Sequence, residues 1–162
     1  MRPAKRVAVL AACGALLITV QVSLAFLPNI ELVSLLLVIF TLHLHAYVLA
    51  PLAVFIVVEG LLYGFGIWWA HYLYVWPLWV LFILANRNKR SAAFWALAGG
   101  AFGLAFGALC ALTYLFTGGV HTAMAYFISG IPFDIAHCAG NVITALVLFR
   151  PLMRLGDRLF WA

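Results

Sequence analysis

VAVLAACGALLITVQVSLAFL, the stretch from Val7 to Leu27, contains no charged side chain and is long enough to cross a bilayer, whose hydrocarbon core takes about 20 apolar residues. The whole chain has the same character, since 68% of its 162 residues are hydrophobic and 8% are charged. Soluble domains carry about 25% charged residues. Because a soluble fold of this length could not bury so much apolar surface, the sequence predicts an all-α membrane protein.

Further apolar runs predict a single transmembrane domain over residues 1–162, a compact bundle of about six helices. The predicted spans are residues 7–27, 32–44, 48–63, 68–84, 92–115 and 132–152. Residues 121–130 are predicted to form a connection too short to cross the membrane. Pro132 is then expected at the first position of the last helix, where its missing N–H costs nothing.

The basic residues predict the orientation of this bundle. All nine lie in three clusters: Arg2, Lys5 and Arg6; Arg87, Lys89 and Arg90; Arg150, Arg154 and Arg158. With six spans the three clusters share one side, which the positive-inside rule makes the cytoplasm, so both termini are expected inside. Their position at span ends also argues against a nucleic-acid partner. A cleaved signal peptide over residues 1–25 is the alternative, and it would leave five spans.

Three of the four acidic residues map to the outer half of the predicted bundle. A position near a helix N-terminus would stabilise the negative charges of Glu31 and Asp134. Glu59 lies near a helix C-terminus, where negative charge is disfavoured, so it needs a partner or a ligand. Asp134, His137 and Asn141 share one helical face, which is expected to face other helices or a pocket. A structural hydrogen-bond network is the alternative for this polar stripe.

Tyr63–Trp76, YGFGIWWAHYLYVW, is densely aromatic. An interfacial aromatic belt explains part of it, but aromatic walls with a few fixed polar groups are also typical of a small-molecule pocket. We therefore expect one small, flat, polar or cationic molecule to bind near the outer surface. The candidate substrate-binding residues are Glu59, Tyr63, Trp69, His71, Tyr72, Asp134, His137 and Asn141.

Small residues recur at helical spacing in two predicted spans. Gly99, Gly103 and Gly107 form two consecutive GxxxG steps, and the pairs Ala8/Ala12 and Ala11/Ala15 repeat the pattern in the first span. Such stripes let helices approach closely, by default within the bundle. For the first span, contact with a partner subunit is the alternative.

Enzyme motifs are absent from the sequence. It contains no P-loop, nucleophile elbow or HExxH segment, and Cys13, Cys110 and Cys138 lie in apolar runs without a CxxC pair. We therefore expect no catalytic residue, no metal site and no cofactor.

Three segments resemble the substrate-binding S components of energy-coupling factor (ECF) transporters, which take up vitamins and related micronutrients. They are LPNIELVSLL at 27–36, EGLLYGFG at 59–66 and SGIPFDIAHCAGN at 129–141. The resemblance implies a multi-pass protein of the bacterial cytoplasmic membrane with an outward-facing pocket built from spans 4–6 and the outer loops.

The same resemblance implies partners: a T subunit and two ATPase subunits. The T subunit would dock on an alanine stripe of the first span, which Ala8/Ala12 or Ala11/Ala15 match. One alternative function is a small membrane enzyme or cofactor-binding subunit that uses His71, Asp134 and His137. Another is a structural assembly subunit with no ligand.

Overall fold

A computed structural model describes the backbone of residues 2–161 and the side chains of residues 2–160. This part of the chain is all-helical, without strands, as the composition predicted. A short 3₁₀ turn at His45–Val48 joins the second and third helices. The α-helices are α1 (Pro3–Leu24), α2 (Val33–Leu44), α3 (Leu49–Tyr63), α4 (Ile67–Ala85) and α5 (Ala92–Trp161).

Four helical segments of the described chain are long and apolar enough to cross a membrane. They are Pro3–Leu24, Val33–Tyr63, Ile67–Ala85 and Ala92–Phe160. Many large apolar side chains on them are exposed, among them Leu61 at 68% and Leu97 at 74%. Soluble proteins rarely expose apolar surface on this scale, so the helices are compatible with a membrane protein.

α2 is the central helix, since every one of its residues is buried. It packs against α1, α4 and α5, and it is apolar on nearly all faces, as a helix enclosed on all sides must be. α1 packs mainly against α3, where Gly14 lies over Pro51. The short loop 25–32 connects α1 to this centre.

α5 consists of two arms, residues 92–118 and 120–161, because Gly119 has non-helical dihedral angles (φ 76°, ψ −176°). A positive φ is readily adopted only by glycine. The arms run antiparallel. Asn141 donates to the carbonyl of Gly99 (3.0 Å), and Asp134 accepts from the N–H of Gly107 (3.0 Å). Gly119 therefore reverses the chain without a longer loop.

The expected connection at residues 121–130 is wrong, because this segment is helical. Pro132 lies inside α5 instead of opening a helix. Because the chain already reverses at Gly119, the helix can continue through residues 121–130 and Pro132 without a second break. As a result, the polar stripe continues above Pro132 to Gly130 and Tyr126, which share its face.

Candidate functional site

A cavity of about 270 Å³ lies between α4, α5 and the loop 25–32. Tyr72 and Trp76 of α4 line it together with Phe106 of α5. The ring of Trp76 contacts the other two, with centroids 5.7 Å apart for Tyr72 and Trp76 and 5.8 Å apart for Trp76 and Phe106. These walls suit a flat ring, because aromatic rings pack favourably edge-to-face or in offset stacks.

A buried pair of polar side chains forms another wall of this cavity. The Nε2 atom of His137 lies 3.1 Å from Oε1 of Glu31, and both side chains are at most one-tenth exposed. The other oxygen of Glu31 accepts the backbone N–H of Ser34 (2.8 Å) at the start of α2. The ring of His137 in turn packs edge-on against Phe106, with centroids 5.0 Å apart. Glu31 therefore ties the loop and α2 to the second arm of α5.

The loop covers the cavity with a tight turn. Pro28 and Asn29 both line the cavity, and the N–H of Ile30 bonds to the carbonyl of Leu27 (3.3 Å). Asn29 has a φ of 56°, a conformation that asparagine tolerates better than most residues. Proline followed by a left-handed asparagine is the residue order of a type II turn. The sequence of the loop thus fixes the shape of the cavity mouth.

A second recess, of about 320 Å³, lies beside the first and shares Pro28, Asn29 and Phe106 with it. Asp134 lines this recess, along with Tyr126. The Oδ1 atom of Asp134 accepts from Gly107, but Oδ2 is buried without a hydrogen-bond partner among residues 2–160. The carboxylate therefore keeps unused acceptor capacity next to the cavity.

Other buried polar atoms in this region also lack a partner within the described chain. Buried polar groups are nearly always hydrogen-bonded, so these atoms are the places where a water molecule or a ligand would supply a missing partner. The atoms are Oε1 of Glu59, Nε2 of His71, Nε1 of Trp76 and Nδ1 of His137.

The predicted site residues fall into two groups. Tyr72 and His137 line the first cavity and Asp134 lines the second. The other five line neither of the two. Tyr63 is exposed at the end of α3, Glu59 is buried within that helix, and His71 packs against Tyr114 and Tyr126. Trp69 donates to the carbonyl of Ile56, and Asn141 to that of Gly99.

Glu31, Trp76 and Phe106 line the cavity but were not among the predicted site residues. Glu31 was assigned only a favourable position at a helix start, which it does occupy. Trp76 closes the aromatic stretch of α4 and could have been included on that ground. Phe106 had no signal in the sequence, because one phenylalanine among many apolar residues does not mark a pocket.

No protein-family model, no curated protein and no solved structure matches this chain. The chemistry of the site must therefore be argued from its own residues. Within residues 2–160, no group of three or more His, Cys, Asp or Glu side chains is placed to hold a metal ion. The cavity instead offers aromatic surface, one buried carboxylate–imidazole pair and an unpartnered indole N–H, which together suit a small planar molecule with polar edges.

Proposed function

We propose that this chain is the substrate-capturing S component of an ECF-type importer, and that it takes up a vitamin or a related small heterocycle. The observation that carries the proposal is the aromatic cavity with the buried Glu31–His137 pair in its wall. The planes of Tyr72 and Trp76 are 87° apart, so a flat ring would stack on one of them and meet the other edge-to-face, while its polar edge would meet Glu31 and His137. The resemblance of residues 27–36 and 129–141 to S components supports this proposal.

The proposal includes the cytoplasmic membrane and six crossings, with both termini inside. Two breaks in the long helical segments support six crossings instead of four. His45, at the end of α2, has a φ of 51°, and Gly119 has a φ of 76°. Each break divides one long helical segment into two shorter helices. The six crossings would then place the loop 25–32 and Gly119 outside.

The proposed partners are a T subunit and two ATPase subunits. Ala8, Ala11, Ala12 and Ala15 are all exposed on α1, so the stripe is not used for packing within the described chain. Small exposed residues would let a helix of the T subunit approach the backbone of α1 closely. The sequence contains no P-loop motif, which agrees with ATPases supplied separately.

The experiment that tests the function is purification of the tagged protein from its native membrane in mild detergent. Mass spectrometry of the same sample then identifies bound small molecules and associated proteins. We expect one planar heterocycle recovered unchanged, together with a T subunit and ATPases. A purified protein with neither a small molecule nor these subunits would contradict the proposal.

Trp76→Phe supplies a sharper test, because Nε1 of Trp76 has no partner in the described chain. The variant should bind the recovered molecule about fivefold more weakly, the loss of one hydrogen bond, and should also lose some stability, because Phe leaves part of the volume of this buried indole empty. Calorimetric titration and thermal unfolding measure the two quantities.

Trp79→Phe is the matched control for this test. Nε1 of Trp79 donates to the carbonyl of Ser34 (3.1 Å), and Trp79 does not line the cavity of Trp76. We expect this variant to lose stability and keep its affinity. If both variants keep the affinity of the parent, Trp76 is a packing residue and the cavity is not the binding site.

Single-cysteine labelling tests the six crossings. In a background without Cys13, Cys110 and Cys138, a cysteine at Asn88 should react only with reagents that reach the cytoplasm. A cysteine at Val120, which is 64% exposed beside the turn, should react from outside. Outside labelling of position 88 would overturn the proposed orientation.

The alternative of a membrane enzyme that uses His71, Asp134 and His137 has less support. His71 packs beside the stacked rings of Tyr114 and Tyr126 and lines neither cavity, so the three side chains do not share one pocket. Chemical conversion of the recovered molecule by the purified protein would favour the enzyme over the importer subunit.

A further inference from the structure

Three arginines converge at the end of the α5 hairpin opposite the turn at Gly119. Arg90 lies in the connection between α4 and α5, and Arg150 and Arg154 are one helical turn apart on the second arm. All three line a recess of about 360 Å³. Phe149 and Met153 supply its apolar surface. Elements distant in sequence therefore bring three guanidinium groups to one recess.

Within the described chain these three positive charges form no ion pair, and the single carboxylate beside them leaves an excess of positive charge. Among residues 2–160, none of the three arginine side chains takes part in a hydrogen bond or an ion pair. Asp157 is the acid that lines the recess, and its Oδ1 atom is 3.1 Å from Nε2 of His43. Like charges so placed repel one another, and the repulsion grows where protein and lipid lower the dielectric constant. The recess therefore favours an anion.

The surface around the recess is apolar. Leu146, Val147, Leu155 and Leu159 lie on the same arm of α5, and each is at least half exposed. A ligand that satisfies both features carries an anionic group for the arginines and hydrocarbon for the leucines. A soluble anion would meet only the first requirement.

We propose that Arg90, Arg150 and Arg154 bind the phosphate of an anionic phospholipid headgroup, whose acyl chains lie along Leu146 and Val147, the exposed apolar side chains on the side of Arg150 that faces the turn at Gly119. The planar guanidinium fork matches phosphate oxygens in a bidentate geometry. Basic pockets between membrane helices are suited to anionic headgroups. This proposal requires the helices to lie in a bilayer, and it does not depend on the cavity or on the transport function.

Native mass spectrometry of the purified protein tests the site, with phosphatidylglycerol or phosphatidylcholine added to the detergent. We expect phosphatidylglycerol to bind in preference to phosphatidylcholine. Each basic residue near an anionic lipid surface contributes about fivefold in affinity, so R150Q/R154Q should bind phosphatidylglycerol about 25-fold more weakly.

The matched control is R87Q/R158Q, which removes two arginines that do not line the recess. This variant should keep the affinity of the parent. Equal losses in both variants would show diffuse attraction and overturn the site, as would unchanged binding by R150Q/R154Q. If R150Q/R154Q does not fold, R90Q in the connection carries the test, with an expected loss of about fivefold.

A second arm of the experiment separates a lipid from a soluble phosphate. Glycerol 3-phosphate should not displace phosphatidylglycerol at millimolar concentration, because it lacks the acyl chains that would contact the exposed apolar side chains of α5, such as Leu146 and Val147. Displacement at concentrations similar to those of the lipid would overturn the assignment to a phospholipid. Thermal unfolding of every variant confirms that the comparisons are made between folded proteins.

Discussion

Glu31→Gln is expected to lower the free energy of unfolding by about 2 kcal/mol, within the range for hydrogen bonds to charged groups. Glu31 is the buried link between the loop, α2 and α5, since its two oxygens contact His137 (3.1 Å) and the N–H of Ser34 (2.8 Å). Glutamine can still accept the N–H of Ser34 through its carbonyl oxygen, but it carries no charge and presents an NH2 group to His137, so both charge-assisted contacts are lost. Thermal unfolding in detergent should show a midpoint about 4–8 °C lower.

Asp157→Asn is the matched control, because Asp157 meets His43 at the same distance, 3.1 Å. Its side chain is 64% exposed, however, whereas that of Glu31 is 10% exposed. Exposed pairs contribute about 0–1 kcal/mol, so this variant should lose less than half as much stability. Similar losses in Glu31→Gln and Asp157→Asn would mean that burial does not set the strength of the Glu31–His137 pair.

A double-mutant cycle assigns the effect to the pair itself. Glu31→Gln, His137→Gln and the combined variant should be non-additive by about 0.5–3 kcal/mol, as expected for residues in direct contact. Additive losses would place the contribution of Glu31 in the helix start at Ser34 instead.

Gly103→Ala should be among the most disruptive small substitutions in the protein. A Cβ atom at Gly103 would lie 2.7 Å from the backbone nitrogen of Cys138 and 2.8 Å from the carbonyl carbon of His137. Backbone atoms cannot move aside as a flexible side chain can, so the two arms of α5 must separate. Overpacking of this kind costs about 1–3 kcal/mol, which outweighs the gain in helix propensity from alanine.

Gly99→Ala is the control for this prediction, since it belongs to the same GxxxG series. Its added Cβ would lie 3.5 Å from Cβ of Asn141, an ordinary van der Waals contact. We expect Gly99→Ala to be neutral or slightly stabilising in the same unfolding measurement. If Gly103→Ala is equally well tolerated, the arms of α5 do not pack as closely as described.

The sequence predicted the helical class well, because uninterrupted apolar runs of about 20 residues, such as residues 7–27, are typical of helices that cross a bilayer. Boundaries were harder to predict. Pro132 predicted a helix start, but the conformational freedom of Gly119 had already reversed the chain. Gly119 and Pro132 are both residues that can break a helix, and packing between the two arms determines which of them does. The local sequence contains no information about that packing.

The site was predictable in part, for a similar reason. The polar stripe of Asp134 and His137 follows from helical periodicity alone, and both residues line the recesses beside the loop. The pairing of His137 with Glu31 depends on a contact between residues distant in sequence. Periodicity within one helix carries no information about such a contact, so Glu31 could be assigned only a local role.

The turn at Gly119 also bears on how the protein enters a membrane during synthesis. If the arm 120–161 entered alone, it would present Asp134, His137 and Asn141 to hydrocarbon, where a single charged residue costs about 2.5–3.5 kcal/mol. Paired with the arm 92–118, Asp134 and Asn141 instead meet the backbone of Gly107 and Gly99. Because the turn is this short, an arm 120–161 that entered a bilayer would have the arm 92–118 beside it, and the hairpin would shield Asp134 and Asn141 from lipid.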